Sequence, residues 1–259
     1  MCSNPNLRGF TQALTTLFQS PTHFLPHLTI PTFTHLPEHL GSSLPYHALT
    51  APTVTSTTPT NHEGKESEEK KPGRPTIRAL VLDKDNTLCP PQTTTFPPQI
   101  LTKLHNLRTS PISPFRNPSS ILIVSNRAGS HPRFDEEVHD LENTLSSSSL
   151  HIPIFGVPAG VEKKPLCGDA VVEWFRERGV VQGADEIAVV GDRLGTDVLM
   201  AGMMGSWGVW CRDGVVEGVK EGMQRPGMNV LERMEVLMER YLRESRGLRA
   251  APPRGWTHS

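Results

Sequence analysis

Asp83 and Asp85 stand two residues apart in ALVLDKDNTL (79–88), directly after four apolar residues. A short uninterrupted apolar run is the pattern of a strand buried on both faces. The period of two along a strand turns both carboxylates to one side. Two like charges held close are costly unless a cation lies between them. The competing reading is an ordinary solvated turn at a strand end, since Asp and Asn are frequent turn formers.

Other polar residues recur at equivalent places. Ser125 and Asn126 follow the apolar run ILIV, and EKKP (162–165) follows IPIFGV. Asp192 closes EIAVVGD, and Asp197 follows it in GDRLGTD. A turn-only reading has to treat these as four independent coincidences. A phosphate monoester accounts for them together. It is a dianion, so Asp83, Asp85, Asp192 and Asp197 repel it unless a hard cation intervenes. Mg²⁺ favours one or two carboxylates with water and phosphate oxygens. Asp83 and Asp192 suit that role, and Asp85 is counted with them in the metal set. Ser125 offers a hydroxyl to a phosphoryl oxygen, and Asn126 its backbone amide. A lysine of KKP supplies positive charge to the transition state. Lys164 is the expected one, with Lys163 its solvated neighbour. One aspartate can then attack phosphorus. Another can protonate the leaving alcohol and take a proton from the hydrolytic water.

These residues need a scaffold that gathers strand ends. After Arg74 the chain alternates apolar strands with helical patterns. The strands are IRALVLD, ILIVS, IPIFGV, EIAVVGD and WGVWC; the helices are PPQILTKLHNL, FDEEVHDLENTL, GDAVVEWFRERG and GTDVLMAGMMG. FDEEVHDLENTL has an acidic first turn suited to the helix dipole. Asp169 is the expected N-cap of GDAVVEWFRERG and Gly179 its stop. The alternation predicts an α/β fold with a Rossmann-like, doubly wound, parallel five-stranded sheet. Ligands bind such sheets at the carboxyl ends of the strands, where strand order reverses. A last helix, MNVLERMEVLMERYLRE, carries an apolar stripe of Val230, Leu231, Met234, Leu237, Met238, Tyr241 and Leu242. That stripe is expected to pack on the sheet. The stretches between Asp85 and Ser125 and between Ser125 and Lys164 are each filled by one helix and a loop, which leaves no room for a cap domain. An uncapped site suits a headgroup still in its membrane, or a macromolecule.

The bulk numbers bound the rest. The chain has 259 residues, is 36% hydrophobic and carries a formal net charge of -1, so nothing global points to nucleic acid. No apolar run is long enough for a transmembrane helix. The four cysteines form no zinc or C-x-x-C pattern and suit a reducing compartment. Residues 41–75, rich in Ser, Thr and Pro and ending in a charge run, read as a disordered linker. RTSPISPFRNPSS (108–120) reads as a surface loop, and 247–259 as a flexible tail. Residues 76–246 form the expected catalytic domain. Residues 1–37 contain no Asp or Glu and one Arg. Leu7, Phe10, Leu14 and Leu17 lie near helical spacing there. A transit peptide, a membrane-surface helix and a short helix packed on its own domain all fit that pattern. Residues 1–40 are assigned as a membrane-associating or targeting segment, expected to anchor the enzyme.

The four motifs DKDNT, VSN, KKP and GDRLGTD, in that order, resemble the haloacid dehalogenase superfamily of phosphatases. The resemblance implies Asp83 as nucleophile, Asp85 as acid/base, Ser125 and Lys164 as phosphate ligands and Asp192 as a Mg²⁺ ligand. It implies Asp197 in a supporting position or holding the lysine. VLDKDNTL, LIVSNRAGS, KKPLC, IAVVGDRLGTDVLMAGMMGSWGVWCRDGV and IPTFTHLPEHL are further similar to the mitochondrial phosphatidylglycerophosphate phosphatases. The similarity spans roughly 28–40 and 77–214, about half the chain or more. It implies hydrolysis of phosphatidylglycerophosphate to phosphatidylglycerol, the step before cardiolipin. It also implies peripheral attachment to the inner mitochondrial membrane facing the matrix. The alternatives are an uncapped protein or nucleic-acid-end phosphatase of the same superfamily, a non-enzymatic phosphoreceiver, or an inactive scaffold.

Overall fold

A computed structural model describes residues 5–44, 74–128, 134–156, 162–215 and 230–256. The apolar runs become strands β2 (Ala79–Leu82), β3 (Ile121–Val124), β4 (Ile154–Phe155), β5 (Ile187–Gly191) and β6 (Trp207–Cys211). β1 (Leu28–Ile30) is an addition from the N-terminal segment, where it pairs parallel with β6. The sheet therefore has six strands rather than five, all parallel, in the order β1-β6-β5-β2-β3-β4. A three-residue strand flanked by prolines carries too little periodicity to be read from sequence. It exists because β6 offers it an edge to pair with.

Alternate residues of each strand enter different cores, as the period of two requires. Leu80, Leu82, Ile121, Ile123 and Val190 pack with Ile100, Leu104 and Leu107 of α2 (Pro98–Thr109) and with Leu141 and Leu145 of α3 (Asp135–Ser147). Val81, Leu122, Val124 and Val189 pack on the other face. Their partners are Val171, Val172 and Phe175 of α4 (Gly168–Glu177) and Met200, Ala201 and Met204 of α5 (Leu199–Met204). The sheet is thus doubly wound. Between β2 and β3 the chain holds only loops, α2 and two short 3₁₀ turns, and among the described residues no cap domain covers the strand ends.

Several expectations change with packing. Phe33, Leu36, Leu40 and Leu44 are buried in the larger core, so the sheet's own packing reaches back into the N-terminal segment and across the expected start of the linker at 41. Residues 45–73 lie outside the described residues. The 108–120 stretch is not purely surface: Phe115 is fully buried, and Ser113 donates to Leu107 O at 2.5 Å. The expected loose tail is ordered to 256, where Trp256 packs edge-on against Trp207 and Arg254 N donates to Gly205 O. Its apolar residues find a hydrophobic surface that the tail's own composition does not reveal. Asp169 lies inside the first turn of α4 rather than at its cap, which is Cys167. Gly179 ends that helix in the left-handed region at φ 64, as expected.

The last helix differs most. α6 (Val230–Arg240) continues in a wider turn, Tyr241–Ser245. It presents Glu235, Met238 and Leu242 inward, while Val230, Leu231, Met234, Leu237 and Tyr241 face solvent. The apolar stripe is therefore mostly outside. Helical period identifies a face but not the direction in which it points. α1 (Pro5–Gln19) packs through Ala13 and Leu17 on the small core that Leu242 also enters.

Candidate active site

β2 is the pivot of the sheet. The chain leaves it toward β3 and β4 on one side, then returns to β5 and β6 on the other. The crevice of a doubly wound fold opens at such a reversal, above the carboxyl ends of the strands. Asp83 follows β2, and its backbone N–H donates to Val190 O of β5 at 2.9 Å. Asp192 follows β5, and the indole of Trp210 donates to its carbonyl oxygen at 2.9 Å. The next turn, Leu194–Val198, is wider than an α-helix and brings Asp197 back under β5. Only a glycine fits at 191, because a Cβ there would lie 2.3 Å from the Asp197 carboxyl carbon.

Carboxylate oxygens of Asp83, Asp192 and Asp197 come within 4.8 Å of one another, and all three residues are buried. Lys164 reaches this group from the loop after β4. Its ammonium is ion-paired with Asp83 Oδ1 and donates to Asp197 Oδ1 at 2.6 Å. Asp197 Oδ2 accepts from Arg193 N at 3.2 Å and from the Thr196 hydroxyl. Asn126 Oδ1 accepts the Lys164 backbone N–H at 3.0 Å, so its side chain ties the β3 loop to the lysine loop. Ser125 is buried beside it, its hydroxyl accepting from Arg127 N at 3.3 Å.

The electrostatics follow from three acids and one ammonium in a buried place. Burial pushes Asp83 up to about 7, the charge of Lys164 opposes this, and Asp197 and Asp85 reinforce it. Asp192 is raised well above the ordinary carboxylate range by burial and then by Asp83 and Asp197, while Asn86 pulls it back. Burial opposes the charge on Lys164, yet Asp197 and Asp83 together hold its ammonium above its usual value. The direct contacts leave an excess of negative charge on hard oxygen donors. That donor set fits a divalent cation such as Mg²⁺.

Asp85 stands apart. Its carboxylate is not one of the three clustered groups. Lys84 Nζ pairs with it at 3.0 Å and Gln92 N donates to it at 3.0 Å. Its side chain is 34% exposed against 11% for Asp83, so it meets water where Asp83 does not. The carboxylate that was expected to join the metal set thus lies outside the three-acid cluster, with Lys84 and the Gln92 amide on its Oδ1.

The structure adds residues that sequence reasoning missed. Lys84 has no exposed surface and bridges Asp85 to Glu137 of α3 at 2.5 Å, also donating to Thr93 O. The period of two carried part of the signal, because it turns Lys84 off the face that carries Asp83 and into the protein, where it still reaches Asp85. Asn86, at φ 61, donates to Asp192 Oδ2 at 2.6 Å. Glu235 of α6 accepts from Arg193 Nε at 3.0 Å and Gly195 N at 3.1 Å, fixing the Asp192–Asp197 loop from outside the sheet. Nothing in local sequence connects residues so far apart.

Residues 7–216 match the family described as Mitochondrial PGP phosphatase. The chain is 33% identical over 210 residues to a Saccharomyces cerevisiae protein named Phosphatidylglycerophosphatase GEP4, mitochondrial, covering 81% of this chain and 89% of that protein. It is 28% identical over 212 residues to the Probable phosphatidylglycerophosphatase, mitochondrial, of Schizosaccharomyces pombe, covering 81% and 84%. No solved structure matches significantly. The match extends from inside α1 to just beyond β6, and so takes in both strand-end aspartate motifs, the lysine loop and the extra edge strand. A chain matched over that length, with its acids and lysine gathered at one sheet crevice, belongs to the mitochondrial PGP phosphatase family.

Proposed function

We propose that this chain hydrolyses phosphatidylglycerophosphate to phosphatidylglycerol with Mg²⁺, through an aspartyl-phosphate on Asp83. The reading is supported chiefly by the division of labour between Asp83 and Asp85. One is buried among Lys164, Asp192 and Asp197; the other is held separately at the water-accessible edge. Asp83 attacks phosphorus, a P–O bond to Asp83 forms, and the bond to the lipid alcohol oxygen breaks. Asp85 gives that oxygen its proton, then removes one from the water that hydrolyses the aspartyl-phosphate. Lys164, the Ser125 hydroxyl and the Asn126 amide hold the phosphoryl oxygens. Asn126, through its side chain, also keeps the lysine loop in register. Asp197 orients the Lys164 ammonium and Asn86 orients Asp192. Asp83 and Asp192 would hold the metal, which would supply positive charge to offset that on the phosphoryl oxygens.

The relatives carry mitochondrial names. Among the described residues no helix is long and apolar enough to cross a membrane. We place the enzyme at the matrix face of the inner membrane, attached peripherally. The test is Mg²⁺-dependent phosphate release from detergent-dispersed phosphatidylglycerophosphate, a phosphopeptide, a 3′-phosphorylated oligonucleotide and an aryl phosphate. Preference for the lipid supports the proposal. Preference for peptide or oligonucleotide, or stable phosphorylation without turnover, overturns it.

A further inference from the structure

Among the described residues nine large apolar side chains are exposed, and eight belong to two helices, so their clustering is not the scatter of an ordinary surface. α1 exposes Phe10, Leu14 and Phe18, spaced at i, i+4 and i+8. α6 and its continuation expose Val230, Met234, Leu237 and Tyr241, at i, i+4, i+7 and i+11, with Leu231 at the margin. These spacings make one stripe along each helix. The two helices meet the same small core: Ala13 and Leu17 of α1 pack on it, as do Met238 and Leu242 of α6 and its continuation.

Both helices also touch the catalytic loops. At Gly9 of α1 a Cβ would lie 3.7 Å from Lys164 O and Pro165 Cδ. Glu235 of α6 clamps the loop between Asp192 and Asp197 through Arg193 and Gly195. Each helix therefore turns a polar or small contact toward the site and an apolar stripe toward solvent.

We infer that the paired stripes of α1 and α6 form one docking surface for an anionic lipid bilayer and bring the strand-end crevice to the headgroup layer. This inference rests on the lipid-phosphatase reading above. Three observations favour a bilayer as occupant. Both helices rest on the loops that form the phosphate crevice, so a bilayer held by them keeps its phosphate layer close to that crevice. Fifteen residues of α1 contain no acid and one Arg, which suits a negatively charged surface. Of the polar residues of α6, Glu235 is turned inward on Arg193 and the loop, while Arg233 is exposed on the same helix, a cation that an anionic headgroup layer can meet. Anchoring thus extends beyond the N-terminal segment to the C-terminal helix.

The test uses the full chain with vesicles of phosphatidylcholine and phosphatidylglycerol. Three variants are compared: Phe10→Ser with Phe18→Ser, Met234→Ser with Leu237→Ser, and all four together. Either pair should lower co-sedimentation about tenfold or more, given what burying one large apolar side chain contributes to partition. The four-fold variant should lose it. Turnover of vesicle-borne phosphatidylglycerophosphate should fall in parallel, while turnover of an aryl phosphate stays at the parent level and shows that the variants fold. Leu237→Trp, which keeps the face apolar, should add blue-shifted emission on these vesicles, read as a difference from the parent. Unchanged co-sedimentation in the α6 pair overturns the inference, as does a Leu237→Trp emission that ignores vesicles. So does a variant that changes only the oligomeric state in light scattering, which would assign the stripes to a second copy. Vesicle binding by the parent chain without hydrolysis of detergent-dispersed lipid would sink the substrate reading and leave the docking surface standing.

Discussion

Two buried lysines flank the end of β2, each bridging two carboxylates. Lys164 lies between Asp83 and Asp197, and Lys84 between Asp85 and Glu137. Their surroundings differ in charge. Around Lys164 a third acid, Asp192, joins the group, so the direct cluster holds three carboxylates against one ammonium. Around Lys84, Arg127 pairs with Glu137 at 3.2 Å, giving two cations against two acids. A balanced buried network has no demand for a ligand; its value lies in fixing geometry. An unbalanced one is stable only with protons, with a cation, or with both. The same ion-pair chemistry thus builds a support on one side of the strand and a candidate binding site on the other.

The largest effect expected is at the unbalanced cluster. Asp83→Asn should reduce phosphate release to background, since an amide is a poor nucleophile and a weaker metal ligand. Near-parental turnover in that variant would remove the covalent step. Asp85→Asn should lose roughly 10²–10⁴-fold in rate, the usual share of general acid–base help. Its structure should change little, because Asp85 is partly exposed. Lys164→Ala should cost roughly 10²–10³-fold, as loss of one preorganised electrostatic donor does. Lys163→Ala should stay close to the parent. A damaged Lys163 variant with a healthy Lys164 variant would reverse the assignment within KKP.

The balanced cluster should behave differently. Lys84→Met leaves Asp85 and Glu137 without their shared cation, and truncating one partner of a buried pair typically costs about 3–5 kcal/mol. Because Glu137 retains Arg127, we expect the lower end of that range in urea denaturation, with a more modest loss of turnover as Asp85 loses its orientation. A Lys84 variant that is fully stable yet inactive would mean that Lys84 acts on substrate, and the contrast drawn above would fall.

The smallest effect concerns a buried titratable group in neither cluster. The neutral ring of His27 accepts from Gly208 N at Nδ1 (3.0 Å) and donates from Nε2 to Ala251 O (2.9 Å). Burial lowers its pKa to about 4 from 6.5; the Ala251 hydrogen bond opposes this and Arg243 adds to it. The unfolded chain therefore binds more protons between those values. Stability contributed by the neutral ring is present above about pH 6.5 and is lost as pH falls toward 4. At about 1.4 kcal/mol per unit this is at most about 3.5 kcal/mol. The check is the pH slope of urea stability for His27→Gln against the parent over that window. Equal slopes would mean that His27 does not titrate as described.

How much of this was legible in sequence varied by residue. The strands β2, β3, β5 and β6 were visible because a strand buried on both faces must be apolar at every position, and ALVL, ILIV, IAVVG and WGVWC are. Asp83, Ser125, Lys164, Asp192 and Asp197 stood out because each is polar where such a run stops or soon after it. β1 did not, because three residues carry no usable period and only the free edge of β6 makes them a strand. Lys84 sat in plain view within DKDNT. Its importance depends on Glu137, 53 residues away in sequence, which reads locally as a helix-dipole residue.

The sequence by itself determined the secondary-structure alternation, and with it a parallel sheet whose strand ends carry the reactive groups. That follows from local periodicity and from the rule that ligands meet such sheets at the carboxyl edge. Tertiary structure alone decided which carboxylates share a cation and which is left facing water. Those outcomes depend on distances between residues far apart in the chain and on how much solvent each retains. It decided the direction of α6 as well. An amphipathic helix has two faces, and here the buried Glu235, bonded to Arg193 and Gly195, holds one polar group inside and leaves the apolar stripe outside.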